Sequence, residues 1–164
     1  MSRTVNNFKA DLISGKNVED RVMEAMKKKY KYLSNFITID VHVLENPDMK
    51  LSDFDFSCVY TKKDVCKVIT FEVKNDKMSE RTGNFAIEFW NNYSNIASGI
   101  ESTKAEYYII VDSQYYYMIR TDVLKKYIED NENIMKIKAG YENRASMYLI
   151  PKDDIIQYMN ICEI

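Results

Sequence analysis

The run Tyr107-Tyr108-Ile109-Ile110-Val111-Asp112 constrains the fold more than any other stretch of the chain. Its apolar residues are consecutive rather than alternating, the pattern of a strand covered on both faces. A strand covered twice requires a layer on each side of its sheet. Around it the chain supplies one amphipathic helix early, several β-branched runs, and a second helix late. The order predicts an α/β fold with a central mixed β-sheet flanked by helices.

The early helix is predicted over residues 17–31. Asn17 serves as N-cap, Glu19 and Asp20 sit in the first turn, and Val18, Val22, Ala25 and Met26 repeat at helical spacing. Phe36 to Val43 alternates and reads as a strand, followed by a loop at Glu45-Asn46-Pro47-Asp48. Asp53–Tyr60 and Cys66–Lys74 read as two further strands joined by the polar stretch Thr61-Lys62-Lys63-Asp64, of hairpin-loop length. Phe85–Trp90 is another strand, entered through Thr82-Gly83-Asn84. After the 107–112 run, Tyr115-Tyr116-Tyr117 reads as a half-buried strand surface, 122–130 as a short helix and Met147–Ile150 as a late strand. The chain closes on an amphipathic segment from Lys152. No repeat or interior boundary interrupts the pattern, so residues 1–164 form one domain.

Composition narrows the function classes. With 46% hydrophobic residues, only 4 Gly and 2 Pro, the chain buries a core without metal or disulfide help. No apolar run approaches the ~20 residues of a membrane span, and Met1 to Asn7 lacks the apolar core of a secretory signal. The expectation is a soluble cytoplasmic protein with no membrane partner. Cys58, Cys66 and Cys162 have no metal-ligand spacing; Cys58 and Cys66 read as small core residues. The single His42 supports no nucleophilic triad. The net charge of −2 excludes a wholly basic surface but leaves local clusters such as Lys27-Lys28-Lys29.

One constellation carries chemistry. In Glu72-Val73-Lys74 strand alternation puts both charges on one face and Val73 on the other. Asp55, on the preceding strand of the same hairpin, falls across from Glu72. Two adjacent carboxylates repel unless a cation lies between them, and oxygen donors suit Mg²⁺ or Mn²⁺. An ammonium alongside orients an attacking water and stabilises charge building on a phosphate.

Asp55 followed by Glu72-Val73-Lys74 resembles the D…ExK signature of the PD-(D/E)XK nuclease superfamily. The surrounding words FDFSC, ITFEVKNDKMSERTGNFAIEFW, ASGIESTKAEYYIIVD and ASMYLIPKDDI are similar to small phage or viral members. The resemblance covers residues 17–156. It implies a restriction-endonuclease-like αβββαβ core and metal-dependent hydrolysis of DNA, with Mg²⁺ or Mn²⁺ as cofactor. Asp55, Glu72 and the Val73 carbonyl match the metal ligands, and Lys74 matches the catalytic lysine. Glu19 matches the helix-borne acid, with Asp20 as second choice. Glu88 matches an acid that some relatives place near the site. Asp53 is the alternative to Asp55, and Asp76 either caps the turn after Lys74 or touches substrate. Phe54 stands where the motif has proline. Lys27, Lys28, Lys29, Lys77, Arg81 and Asn84 are the candidate phosphate contacts. Small members imply a homodimer and, for a viral member, a host cytoplasm. An RNA endonuclease using the same residues and a non-catalytic nucleic-acid-binding protein on this fold remain the two rivals.

Overall fold

The computed structural model describes residues 2–34, 40–45, 54–63 and 65–164. It is a mixed α/β fold built on two sheets. The first holds six strands in the order β1 (Asp40–Glu45), β2 (Phe56–Lys62), β3 (Val65–Asn75), β6 (Tyr107–Val111), β7 (Tyr115–Arg120), β10 (Asn160–Glu163). β3 and β6 are parallel; every other neighbouring pair is antiparallel. The second sheet is antiparallel, in the order β5 (Ile96–Ala97), β4 (Asn84–Asn91), β9 (Ala145–Pro151), β8 (Met135–Ala139).

A long helix α1 (Ser2–Ser34) covers one face of the six-stranded sheet. Its Val18, Val22, Met23 and Met26 pack with Phe56, Cys58, Phe71, Val73, Ile109 and Val111. The rings of Phe56 and Phe71 stack there at 4.8 Å. The opposite face buries Tyr108, Ile110, Tyr117 and Ile119 against Phe85 and Ile87 of β4, Ile150 of β9 and Leu124 of α3 (Thr121–Asp130). β6 thus feeds alternate side chains into two cores, as its unbroken apolar run requires.

Four expectations are corrected. The helix runs over Ser2–Ser34, so Asn17 lies inside it rather than capping it. Gly15, Lys16 and Asn17 look like a boundary, but the packing of Val18 and Val22 and a hydrogen bond from Asn75 Nδ2 to Ser14 Oγ (3.3 Å) hold the register through them. The αβββαβ order that the resemblance implies puts a helix between the third and fourth strands, but the connection from β3 to β6 contains the four-residue α2 (Ser79–Thr82), then β4, which is the strand expected over Phe85–Trp90, then β5 and a 3-10 turn at Gly99–Glu101. The period-two set Phe85, Ile87 and Phe89 makes this stretch sheet, not helix. Cys66 is exposed near the tip of the β2–β3 hairpin, while Cys58 is buried as expected. Tyr116 and Tyr117 are buried, and only Tyr115 is exposed. The predicted strand over 36–43 falls partly outside the described residues, as does the 45–48 loop. Among the described residues no helix is long and apolar enough to cross a membrane.

Candidate active site

The hairpin register pairs Phe56 with Phe71, which brings Asp55 level with Glu72 at the end of β2. Asp55 grips β3 on both sides of that residue. Its backbone N–H donates to the Phe71 carbonyl (2.8 Å), and its Oδ2 accepts the Val73 N–H (2.6 Å). A residue's N–H and C=O point to the same side of its strand, so the Val73 carbonyl also faces the Asp55 side. Phe71 and Val73 fill the α1 core, leaving Glu72 and Lys74 on the opposite face.

Glu72 is 7% exposed. Its Oε1 meets Lys74 Nζ at 2.5 Å, and its Oε2 accepts the Thr103 hydroxyl at 3.3 Å. Burial pushes the Glu72 carboxyl above its usual range, with the Asp55 carboxylate adding to the rise; Lys74 and Thr103 offset only part of it. For Lys74 burial acts downward, but Glu72 beside it outweighs that and, with Tyr108 and Asp55, holds the ammonium above the usual lysine range. Lys74 is therefore a permanent cation here rather than a base.

Glu19, one residue past the buried Val18 on α1, joins this group through space. Its carboxyl is pushed up to about 7, first by burial and then by Asp55, with Lys16 and Lys74 working the other way. Three elements thus bring Glu19, Asp55, Glu72 and Lys74 into one electrostatic cluster. A carboxyl titrating near neutrality can take up a cation as carboxylate or exchange a proton with water.

The remaining candidates divide. Glu88, at an irregularity in the β4–β9 pairing, accepts a 2.5 Å hydrogen bond from Ser98 Oγ, and its charge is felt at Tyr108. Asp76 is buried and turns away into the fold: its Oδ2 accepts the Ala86 N–H (2.8 Å), and its carbonyl accepts from the Ser79 hydroxyl (2.7 Å). It ties β3 to β4. Asp20 shares Lys16 with Glu19, 3.5 Å from its ammonium, and adds only the smallest of the charge effects on Glu19. Asp53 lies outside the described residues. Lys27, Lys28 and Lys29 are exposed on α1, the first about 12 Å along the axis from Glu19. Lys27 pairs with Glu24 (2.7 Å) and Lys29 donates to Cys162 Sγ (3.2 Å). Lys77 and Arg81 are exposed beyond the end of β3. Asn84 lines a groove of about 400 Å³ with Asn75, Asp76, Ala86, Met147 and Leu149.

Sequence reasoning missed the parts that Thr103, Ser98 and Tyr108 play beside these acids. The first two are ordinary loop residues without a motif. Tyr108 was legible only as a polar ring in an otherwise aliphatic run.

No family model matches the chain, and no curated protein or solved structure matches it. Function has to be read from the cluster itself.

The donor set is all oxygen, which suits Mg²⁺ or Mn²⁺. The Asp55 carboxylate adds to the rise at both Glu19 and Glu72, and the fully buried Tyr108 hydroxyl on the same face as Glu72 has no hydrogen-bond partner. Both are marks of a site with coordination left to satisfy. Among the described residues, no three His, Cys, Asp or Glu side chains stand close enough together to grip an ion as they are. Glu72 is instead closed on Lys74, and Asp55 on the Val73 amide.

Proposed function

We propose that the protein is a divalent-cation-dependent nuclease of the PD-(D/E)XK type that hydrolyses DNA phosphodiesters. The observation that carries this reading is the convergence of Asp55, Glu72 and Lys74 at one end of the β2–β3 hairpin, with Glu19 of α1 beside them. The parallel pairing of β3 with β6, following the antiparallel β1–β2–β3 set and the preceding helix, supports the same reading of the core.

Asp55, Glu72, Glu19 and the Val73 carbonyl would hold the cation, which when bound supplies Lewis-acid stabilisation of phosphate oxygens. The chain's own part is positioning and charge. Lys74, fixed as an ammonium, faces the negative charge that grows on the phosphate during attack and orients the incoming water. Glu19 would reach the same cation from α1 as a further carboxylate ligand. The exposed lysines of α1 with Lys77 and Arg81 serve as backbone phosphate contacts, making binding weaken as salt rises.

The test is cleavage of duplex, branched and single-stranded DNA and of RNA with Mg²⁺ or Mn²⁺, with Lys74→Ala and Glu72→Gln beside the wild type. Metal-dependent DNA cleavage lost in both variants upholds the reading. Cleavage confined to RNA moves it to a ribonuclease. A second reading, nucleic-acid binding without catalysis, is favoured by the closed Glu72–Lys74 pair. It predicts salt-sensitive DNA binding that neither metal nor the two substitutions alter.

A further inference from the structure

Tyr108 is fully buried, and its ring belongs to the core between the two sheets. Its hydroxyl makes no hydrogen bond. Among the described residues it shares that condition with only one other buried side-chain oxygen, Thr121 Oγ1. A buried hydroxyl without a partner loses its hydrogen bonds to water and gains none, so its retention calls for a physical reason. Tyr117, on the neighbouring strand β7 and in the same core, shows the alternative: its hydroxyl donates to Asp112 at 2.8 Å.

The place of Tyr108 supplies the reason. In the parallel β3–β6 register it stands opposite Glu72, with Ile110 opposite Lys74, so its ring shares the face of the ion pair. Burial holds the hydroxyl protonated, and of the charges around it Lys74 acts most strongly, followed by Glu72, Glu88 and Asp55. The hydroxyl therefore shares the ammonium's face of the sheet, one same-face register position away, without being bonded to it. In the closed state Lys74 is bonded to Glu72 instead.

We propose that Tyr108 is a positioning residue: its hydroxyl is the reserve acceptor that takes the Lys74 ammonium when Glu72 turns from the lysine to a cation. This rests on the metal-dependent reading above. A carboxylate oxygen engaged by a dication is a poor partner for an ammonium, and a lysine has three donors to place. A neutral hydroxyl can accept one without competing for the cation. Lys74 then keeps its position while its partner changes, and the unpaired hydroxyl of the closed state is the consequence of serving the open one.

The test is Tyr108→Phe, which removes the oxygen and keeps the ring. The metal-free variant is expected to melt at or a few degrees above wild type, because an unpaired buried group has been removed. The melting shift produced by Mn²⁺ is expected to shrink. DNA cleavage is expected to fall at least about ten-fold in kcat with KM for DNA little changed. On a Lys74→Met background the same substitution should leave the Mn²⁺ shift unaltered, which a merely structural tyrosine would not do. A metal-free Tyr108→Phe protein that melts well below wild type would overturn the proposal, since the hydroxyl would already have a partner. So would an unchanged Mn²⁺ shift and kcat in a protein whose wild type responds to metal and cleaves. A wild type that neither responds to Mn²⁺ nor cleaves would remove the nuclease reading first, and this role with it.

Discussion

Among the described residues two buried carboxylates, Asp112 and Glu72, each pair with a lysine, and the pairs are built in opposite ways. Asp112, just past β6, is 2% exposed and collects the N–H groups of Gln114 (2.9 Å) and Tyr115 (2.7 Å), the Tyr117 hydroxyl (2.8 Å) and Lys152 Nζ (3.3 Å). Lys152 in turn lies over the rings of Phe85 and Tyr117, at 5.0 and 4.8 Å from their centroids. Burial alone would raise the Asp112 carboxyl, but this set of donors holds it below its usual range. Glu72 has Lys74 and Thr103, faces the charge of Asp55, and is pushed up. One pair is satisfied on every side and staples β6, β7 and α4 (Lys152–Ile155) together. The other is left short of donors, beside an unpaired tyrosine. Buried charge that serves stability is fully bonded; the under-bonded pair is where we propose that a ligand binds.

If that contrast holds, the two pairs respond differently to substitution. The largest effect expected is on activity: Glu72→Gln lowers DNA cleavage by about a thousand-fold or more while melting stays within a few degrees, because Lys74, 36% exposed, can turn to water. Single-turnover cleavage beside a thermal melt checks it. Next is Asp112→Ala, which strands Lys152, the Tyr117 hydroxyl and two amides. It should destabilise by about 3–4 kcal/mol in denaturant unfolding, with the cleavage rate per folded molecule preserved.

Smaller still is Gly99→Ala. Gly99 has φ +52°, and an added Cβ would collide with the Glu88 carbonyl. About 1–3 kcal/mol of strain is expected, read in the same unfolding assay. If that loss were absent, the close packing of the 3-10 turn on β4 beside the acid cluster would be wrong.

The smallest effect is in pH, where the two sites carry opposite signs. Asp112, held low in the fold, stabilises above its unfolded value of 3.8, and that stability is lost as pH falls through the lower folded value. Glu19, raised to about 7 from 4.5, does the reverse: the fold loses stability as pH rises between those values. Glu19→Gln should therefore gain on the metal-free wild type by on the order of 2 kcal/mol between pH 4.5 and 7, measured by denaturant unfolding across that range.

Much of the candidate site was legible because strands have period two. Glu72 and Lys74 had to share a face, and a short hairpin loop had to bring Asp55 opposite them. The double burial of 107–112 was legible for the same reason. What escaped were features decided by tertiary packing. β8, Met-Lys-Ile-Lys-Ala, does alternate, but over only five residues at a sheet edge, and it is the pairing with β9 that makes it sheet. The first half of α1 carries Asn6, Asn7 and Gly15, weak helix formers whose local preference is overridden. Tyr108 reads in sequence as core, and its unpaired oxygen exists only in three dimensions. The difference between Asp112 and Glu72 is likewise invisible in sequence, since it lies in how many donors converge.

The most direct test of a cation site built from these groups is titration calorimetry of Mn²⁺ into the wild type and into Glu72→Gln. Saturable binding in the wild type, weakened at least about ten-fold in the variant, is the expected result. Equal binding by both proteins, or binding by neither, would contradict it.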